Sequence, residues 1–142
     1  MCFLLDPSSR DPKIATEDII VFKTGFRSKS GKYKNIFESR HLDYKYIKGF
    51  TEEGVPLCIR VRNNKRIIDK GYHSYIAKED CLRAEYPITN ELKIGIFKIP
   101  KGSQYYENFQ DRERVSDQIV FVRFENFRER IFRKIKHATL NI

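Results

Sequence analysis

Gly71-Tyr72-His73-Ser74-Tyr75 is the stretch of this 142-residue chain richest in side chains that can do chemistry. His73 can donate, accept or shuttle a proton near neutral pH. Tyr72 and Tyr75 offer ring faces for stacking on a base or a nicotinamide. A helix predicted to start at Ser74 would point its free N–H groups at an anion beside Gly71. A second stretch, Ile99-Pro100-Lys101-Gly102-Ser103-Gln104-Tyr105-Tyr106, puts Lys101, Ser103 and Tyr105 on a turn just beyond a strand. Each has a plainer reading: a hydrogen-bonded structural histidine, and an exposed turn with half-buried tyrosines.

Cations gather in three further places. Arg60, Arg62, Lys65, Arg66 and Lys70 lie on a predicted hairpin, diluted only by Asp69. Arg60 and Arg62, two apart on a strand, project to one face and can clamp a phosphate, or simply protect a solvated edge strand. Gly25 to Lys32 resembles a P-loop in composition, but five residues separate its glycines instead of four, and Tyr33 stands where a magnesium-binding hydroxyl belongs. It remains a basic turn whose backbone could cradle a phosphate. Near the C-terminus, Arg128, Arg130, Arg133, Lys134 and Lys136 face only Glu125 and Glu129. That helix has three competing uses: packing on the sheet, a nucleic-acid face, or binding to a membrane surface or partner groove.

Other chemistries lack their residues. Cys2, Cys58 and Cys81 show no CxxC spacing, and His41, His73 and His137 supply no ligand pairs, so no metal site is expected. No GxSxG or HExxH motif is present. No apolar run approaches the roughly 20 residues of a membrane span, and Asp6 and Pro7 end the first apolar stretch. Reduced thiols and the absence of a signal-like start imply a cytoplasmic protein with no membrane partner. The net charge of +9 and pI near 9.5 imply an anionic partner.

The elements that must position these residues follow from periodicity. Residues 18–23 and 57–62 read as strands, and Asn63-Asn64 supplies a tight turn into a return strand at Arg66-Ile67-Ile68. Residues 24–34 read as a loop or open hairpin, and 36–50 follow no clear period. Ser74 to Tyr86 reads as a helix with Glu79 and Asp80 in its first turns, a Glu79–Arg83 pair and Pro87 as its stop. Residues 92–99 are a strand with Leu92, Ile94 and Ile96 on one face, and 118–124 a central strand. Phe127, Ile131, Ile135 and Ala138 form one helical stripe, expected to pack on the sheet. The expectation is an α+β fold with a mainly antiparallel sheet, one short internal helix and a C-terminal amphipathic basic helix. It is a single domain, 1–142, with a core of 1–122 and the helix of 123–142 packed on it.

GYHSY, IPKGSQYY and the later VSDQIVF together resemble a group of short proteins of phages and Bacteroidetes-type genomes, over roughly residues 1–122. That resemblance implies a phage or mobile-element protein acting on host defence, and carries no activity. A looser resemblance is to the ADP-ribosyltransferase-like fold. It implies NAD as cofactor, with His73, Tyr105, Tyr106 and either Glu107 or Glu125 in catalytic roles. The Ser-Thr-Ser strand and Glu-x-Glu pair of that fold are absent.

Taken together, the residues favour a non-catalytic binder, without cofactor, of a phosphate-bearing ligand, either a nucleotide signal or nucleic acid. Its contacts would be Arg60, Arg62, Gly71, His73, Tyr75, Lys101, Ser103 and Tyr105. The alternatives are an NAD-using transferase and a basic inhibitor that occupies an acidic protein surface. A homo-oligomer would help enclose a small ligand.

Overall fold

Ile19-Ile20-Val21-Phe22 opens the strand on which the rest of the sheet is built. The structure, a computed structural model, describes residues 3–5, 11–28, 36–39, 44–84 and 92–140. Its strands are β1 (Phe3–Leu4), β2 (Lys13–Ile14), β3 (Ile19–Arg27), β4 (Ile36–Ser39), β5 (Lys45–Ile47), β6 (Ile59–Arg62), β7 (Lys65–Ile68), β8 (Tyr72–Tyr75), β9 (Lys93–Ile99), β10 (Gln104–Asn108), β11 (Glu113–Ser116) and β12 (Val120–Phe124). Two helices, α1 (Lys78–Ala84) and α2 (Phe127–Leu140), complete an α+β fold.

The main sheet runs β12-β9-β3-β8-β11-β10-β2, with β4 on β3 and β5 on β4, and all its ladders are antiparallel. β3 is shared: one edge pairs with β9 along its length, and the other meets β8 at Phe22 and β4 from Gly25 onward. Beyond β5 the chain reaches β12, where Lys48 and Thr51 bridge Phe121 and Val120. Strands β9, β3, β4, β5 and β12 therefore close on themselves around Val21, Phe37, Tyr46, Phe97, Phe121 and Phe124.

Phe37 is the centre of this ring. Its ring lies 4.9 Å from Phe97, edge to face, 5.5 Å from Phe121 and 5.7 Å from Phe124. Two glycines make room for it: a Cβ on Gly95 would stand 2.5 Å from Phe37 Cε2, and one on Gly25 2.5 Å from Phe37 Cζ. Gly25 thus serves packing, whereas Gly31 and Lys32 of the P-loop-like segment lie outside the described residues. A second core of Phe3, Leu5, Ile68, Tyr106 and Val115 lies between the main sheet and a small sheet ordered β1-β7-β6. α1 packs against β3 and β8, with Cys81 fully buried and the Lys78 ammonium 6.0 Å from the Phe22 ring.

Several expected elements stand. The hairpin of β6 and β7 turns on Asn63 and Asn64, both left-handed with φ of 53° and 62°. Residues 36–50, without a clear period, hold β4 and β5. The internal helix is shorter than expected, because Tyr72–Tyr75 pairs residue by residue with Glu113–Ser116. β-branched and aromatic side chains suit that half-buried ladder, and tertiary pairing overrides helix propensity. The helix partner of Arg83 is Asp80, not Glu79. Asp80 is buried and also receives Arg112 and the Ala77 N–H. The expected stop at Tyr86–Pro87 lies outside the described residues. β9 buries both faces, since Gly95 and Phe97 line the ring while Ile94 and Ile96 are buried on the other side. β12 ends the hydrogen-bonded order instead of occupying its middle. It escapes an open edge because the Gly49 N–H donates to Phe121 O and the Glu52 N–H to Ile119 O.

Phe37→Ala should cost roughly 3–5 kcal/mol in urea unfolding, as for other large buried aromatics. Gly95→Ala should also destabilise, because the added methyl meets two rings with no flexible end to move. An unchanged midpoint for Gly95→Ala would show that Phe37 is not confined as described.

Candidate functional site

The residues singled out by sequence fall on three separate surfaces. Arg60 and Arg62 lie on exposed β6, sharing a face with Lys65 and Ile67 across the hairpin. Arg60 forms an ion pair with Asp69, whose carboxyl it holds below the usual range. Ile68, on the opposite face of β7, is buried in the second core.

His73 lies on that inner side. It pairs across β8 with Val115, which pairs with Tyr106, and its ring is 6.2 Å from Phe3. Burial, with Lys23 nearby, pulls its pKa down to about 4, so the ring is neutral at pH 7. The Lys23 ammonium donates to the His73 carbonyl. The helix N-terminus expected beside Gly71 is instead strand β8, so no free helical N–H groups face an anion there. Gly71 has φ of 126°, and a Cβ on it would meet Val115 at 2.6 Å and Leu57 at 2.7 Å. Tyr75 lies opposite Glu113 across the β8–β11 ladder. Burial, then Asp111, pushes that carboxyl up, against the pull of Tyr75.

The β9–β10 turn is a third surface. The Lys101 N–H donates to Asp18 at 2.9 Å. Ser103 is buried, lies 3.5 Å from Gln118 through its hydroxyl, and accepts the Ala15 N–H on its carbonyl at 2.9 Å. Tyr105 packs against the main core while Tyr106, the next residue on β10, enters the second. The residues placed by the transferase resemblance therefore divide between opposite faces. Glu107 is held by Arg114 at 3.5 Å and Lys13 at 3.9 Å, and Glu125 by Arg133 and Lys78. His73 and Tyr106 share the face of the second core, with Val115 between them.

A different place combines cations, an open cavity and exposed rings: the junction of α1 with α2. Asn126 and Glu129 start α2 as a capping box. Glu129 N–H donates to Asn126 Oδ1 at 2.8 Å, and Asn126 N–H to Glu129 Oε1 at 3.2 Å. Arg133 grips the nearly buried Glu125 through Nη2 at 2.9 Å and Nε at 3.0 Å, a bidentate pair. Lys78 bridges both carboxylates, at 3.3 Å to Glu125 and 3.1 Å to Glu129, and Arg123 closes on Glu129 from β12. The Arg123 guanidinium lowers the Glu129 pKa to about 2.

This cluster decides which way α2 faces, and it overturns the expected packing of the apolar stripe. Glu129 and Arg133, one turn apart, hold the helix to the body. Phe127, Ile131 and Ile135 consequently face outward, with 76%, 40% and 60% of their surfaces exposed. Alongside them, Arg128, Phe132 and Lys136 form a second row at i, i+4 and i+8. With Lys78, Glu129 and Arg133 this row lines an open cavity of about 380 Å³. Among the described residues, Arg128 and Lys136 enter no ion pair. The N-x-x-E cap was a readable signal for this helix start, but nothing in sequence marked Lys78 as its anchor.

No group of three His, Cys, Asp or Glu side chains is placed to hold a metal among the described residues. No helix among them is long and apolar enough to cross a membrane. No family model, curated protein or solved structure matches the chain.

Two pH effects follow. His73 has a depressed pKa, so between pH 6.5 and about 4 the unfolded chain binds a proton that the folded chain refuses. Stability should fall as pH drops through that window, and His73→Gln should flatten the fall in urea titrations. Glu129 is depressed too, so its contribution is full above 4.5 and disappears toward pH 2. Amide exchange in α2 should rise selectively through that lower window. Glu125→Gln should release the helix already at pH 7, at a cost of roughly 1.5–3 kcal/mol for a hydrogen bond between charged groups. Unchanged protection of α2 in that variant would show that other contacts hold it.

Proposed function

We propose that this protein binds a phosphate-bearing ligand without transforming it, and that the ligand is single-stranded nucleic acid held in the α1–α2 cavity. The supporting observation is the cavity wall, where the Phe132 ring, 78% exposed, stands between Arg128 and Lys136 along one row of α2. Single strands are bound by this combination, cations tracking the backbone and ring faces accepting bases. Duplex recognition uses groove-filling elements instead. Arg60 and Arg62, exposed on another surface, would extend the electrostatic footprint for a long strand. The net charge of +9 favours encounter with any such polyanion.

Fluorescence anisotropy with a labelled oligothymidine tests this reading. Affinity should fall with salt between about 50 and 200 mM, with a slope near 0.7 per phosphate neutralised. Arg128→Glu with Lys136→Glu should weaken binding at least tenfold, and Phe132→Ala should cost roughly 1–3 kcal/mol if a base stacks on it. Binding that is insensitive to both variants would overturn the assignment of the site. Tighter binding of a mononucleotide than of the oligomer would transfer the cavity to a nucleotide signal.

A further inference from the structure

The outer row of α2 is not used by the cavity. Phe127, Ile131 and Ile135 are spaced i, i+4, i+8, the spacing of the side-chain ridge by which one helix packs into the groove of another. All three are exposed, and among the described residues of α2 and its cap no carboxylate shares their side, since Glu125 and Glu129 are drawn inward by Arg133, Lys78 and Arg123. Rows of cations run along both flanks: Arg130 and Lys134 on one, Arg128 and Lys136 on the other. Among the described residues Arg130 and Lys134 also enter no ion pair.

We infer that the ridge Phe127–Ile131–Ile135 is a docking surface for a partner protein that offers an apolar helical groove walled by carboxylates. Charge complementarity selects this occupant. A second copy of this chain would bring cationic flanks against cationic flanks. An anionic bilayer satisfies the charge but not the shape. At about 100° per residue, Arg128 falls between Ile135 and Phe132, and Lys134 beside Phe127. The apolar sector is therefore interrupted, and a flat lipid surface deep enough to take the ridge would have to take charges with it. A groove with acidic walls receives the ridge and pairs both flanks. This inference does not rest on the nucleic-acid reading, which uses the neighbouring row.

The test uses the full chain and two designed helical hairpins of equal apolar groove, one walled by glutamates and one by lysines. The glutamate hairpin should bind and slow amide exchange in α2, and the lysine hairpin should bind at least tenfold more weakly. Ile131→Asp, and separately Arg130→Glu with Lys134→Glu, should each reduce binding at least tenfold, while Ile131→Asp leaves oligothymidine binding unchanged. Three results would overturn the proposal. These are equal binding of both hairpins, co-sedimentation with phosphatidylglycerol vesicles that is abolished by Ile131→Asp, and a dimer in sedimentation equilibrium abolished by the same change. Weaker oligothymidine binding in Phe132→Ala, with hairpin affinity unchanged, would separate the two readings, because Phe132 lines the cavity and belongs to neither flank of the ridge.

Discussion

Everything in this fold is arranged around the seat of one phenylalanine. Phe37 can occupy the centre of the strand ring only because Gly25 and Gly95 flank it without side chains. Their absence of Cβ atoms lets β3 and β9 close on a ring that then touches Phe97, Phe121 and Phe124. Close packing of this kind is unforgiving, because a core has few voids into which a displaced ring can move. The curl that brings residues 48–51 onto β12 surrounds the same ring, so the protection of the β12 edge and the packing of Phe37 are one constraint.

The consequences reach the surface through β3. Its inner side carries Val21 into the ring, while Phe22 lies under the Lys78 ammonium. α1, seated on β3 and β8, places Lys78 where it meets Glu125 and Glu129. Glu125 follows β12 directly, and Glu129 lies in the first turn of α2, where Arg123 of β12 reaches it. The orientation of an exposed helix is thus set by a charge cluster fixed to the sheet. Such pairs contribute modestly when solvated, but Glu125 is almost buried, and a partly buried carboxylate with bidentate arginine support is strongly directional.

That arrangement gives α2 an unusual division of labour. In most amphipathic surface helices the apolar row faces the core and the charged rows face water. Here the core side is ionic and the apolar row is outside. The result is a helix whose two exposed rows are chemically different, one alternating cations with a ring beside a cavity, the other apolar between cationic flanks.

Local pattern alone determined a good part of this protein. The Asn63-Asn64 hairpin, the strand starting at Ile19, the strand ending at Ile99 and the existence of α2 are carried by turn chemistry and periodicity, which act over a few residues. The α+β class follows from the irregular succession of strands and helices. The tertiary structure decided what depends on distant partners. Tyr72–Tyr75 became a strand because β11 pairs with it, and His73 became a half-buried neutral residue because that ladder sets it beside Phe3 of the second core. The amphipathic period of α2 showed that it has an apolar row, but not which way the row faces. That direction was decided by Lys78, about fifty residues upstream, because an ion pair depends on where two charges meet in space.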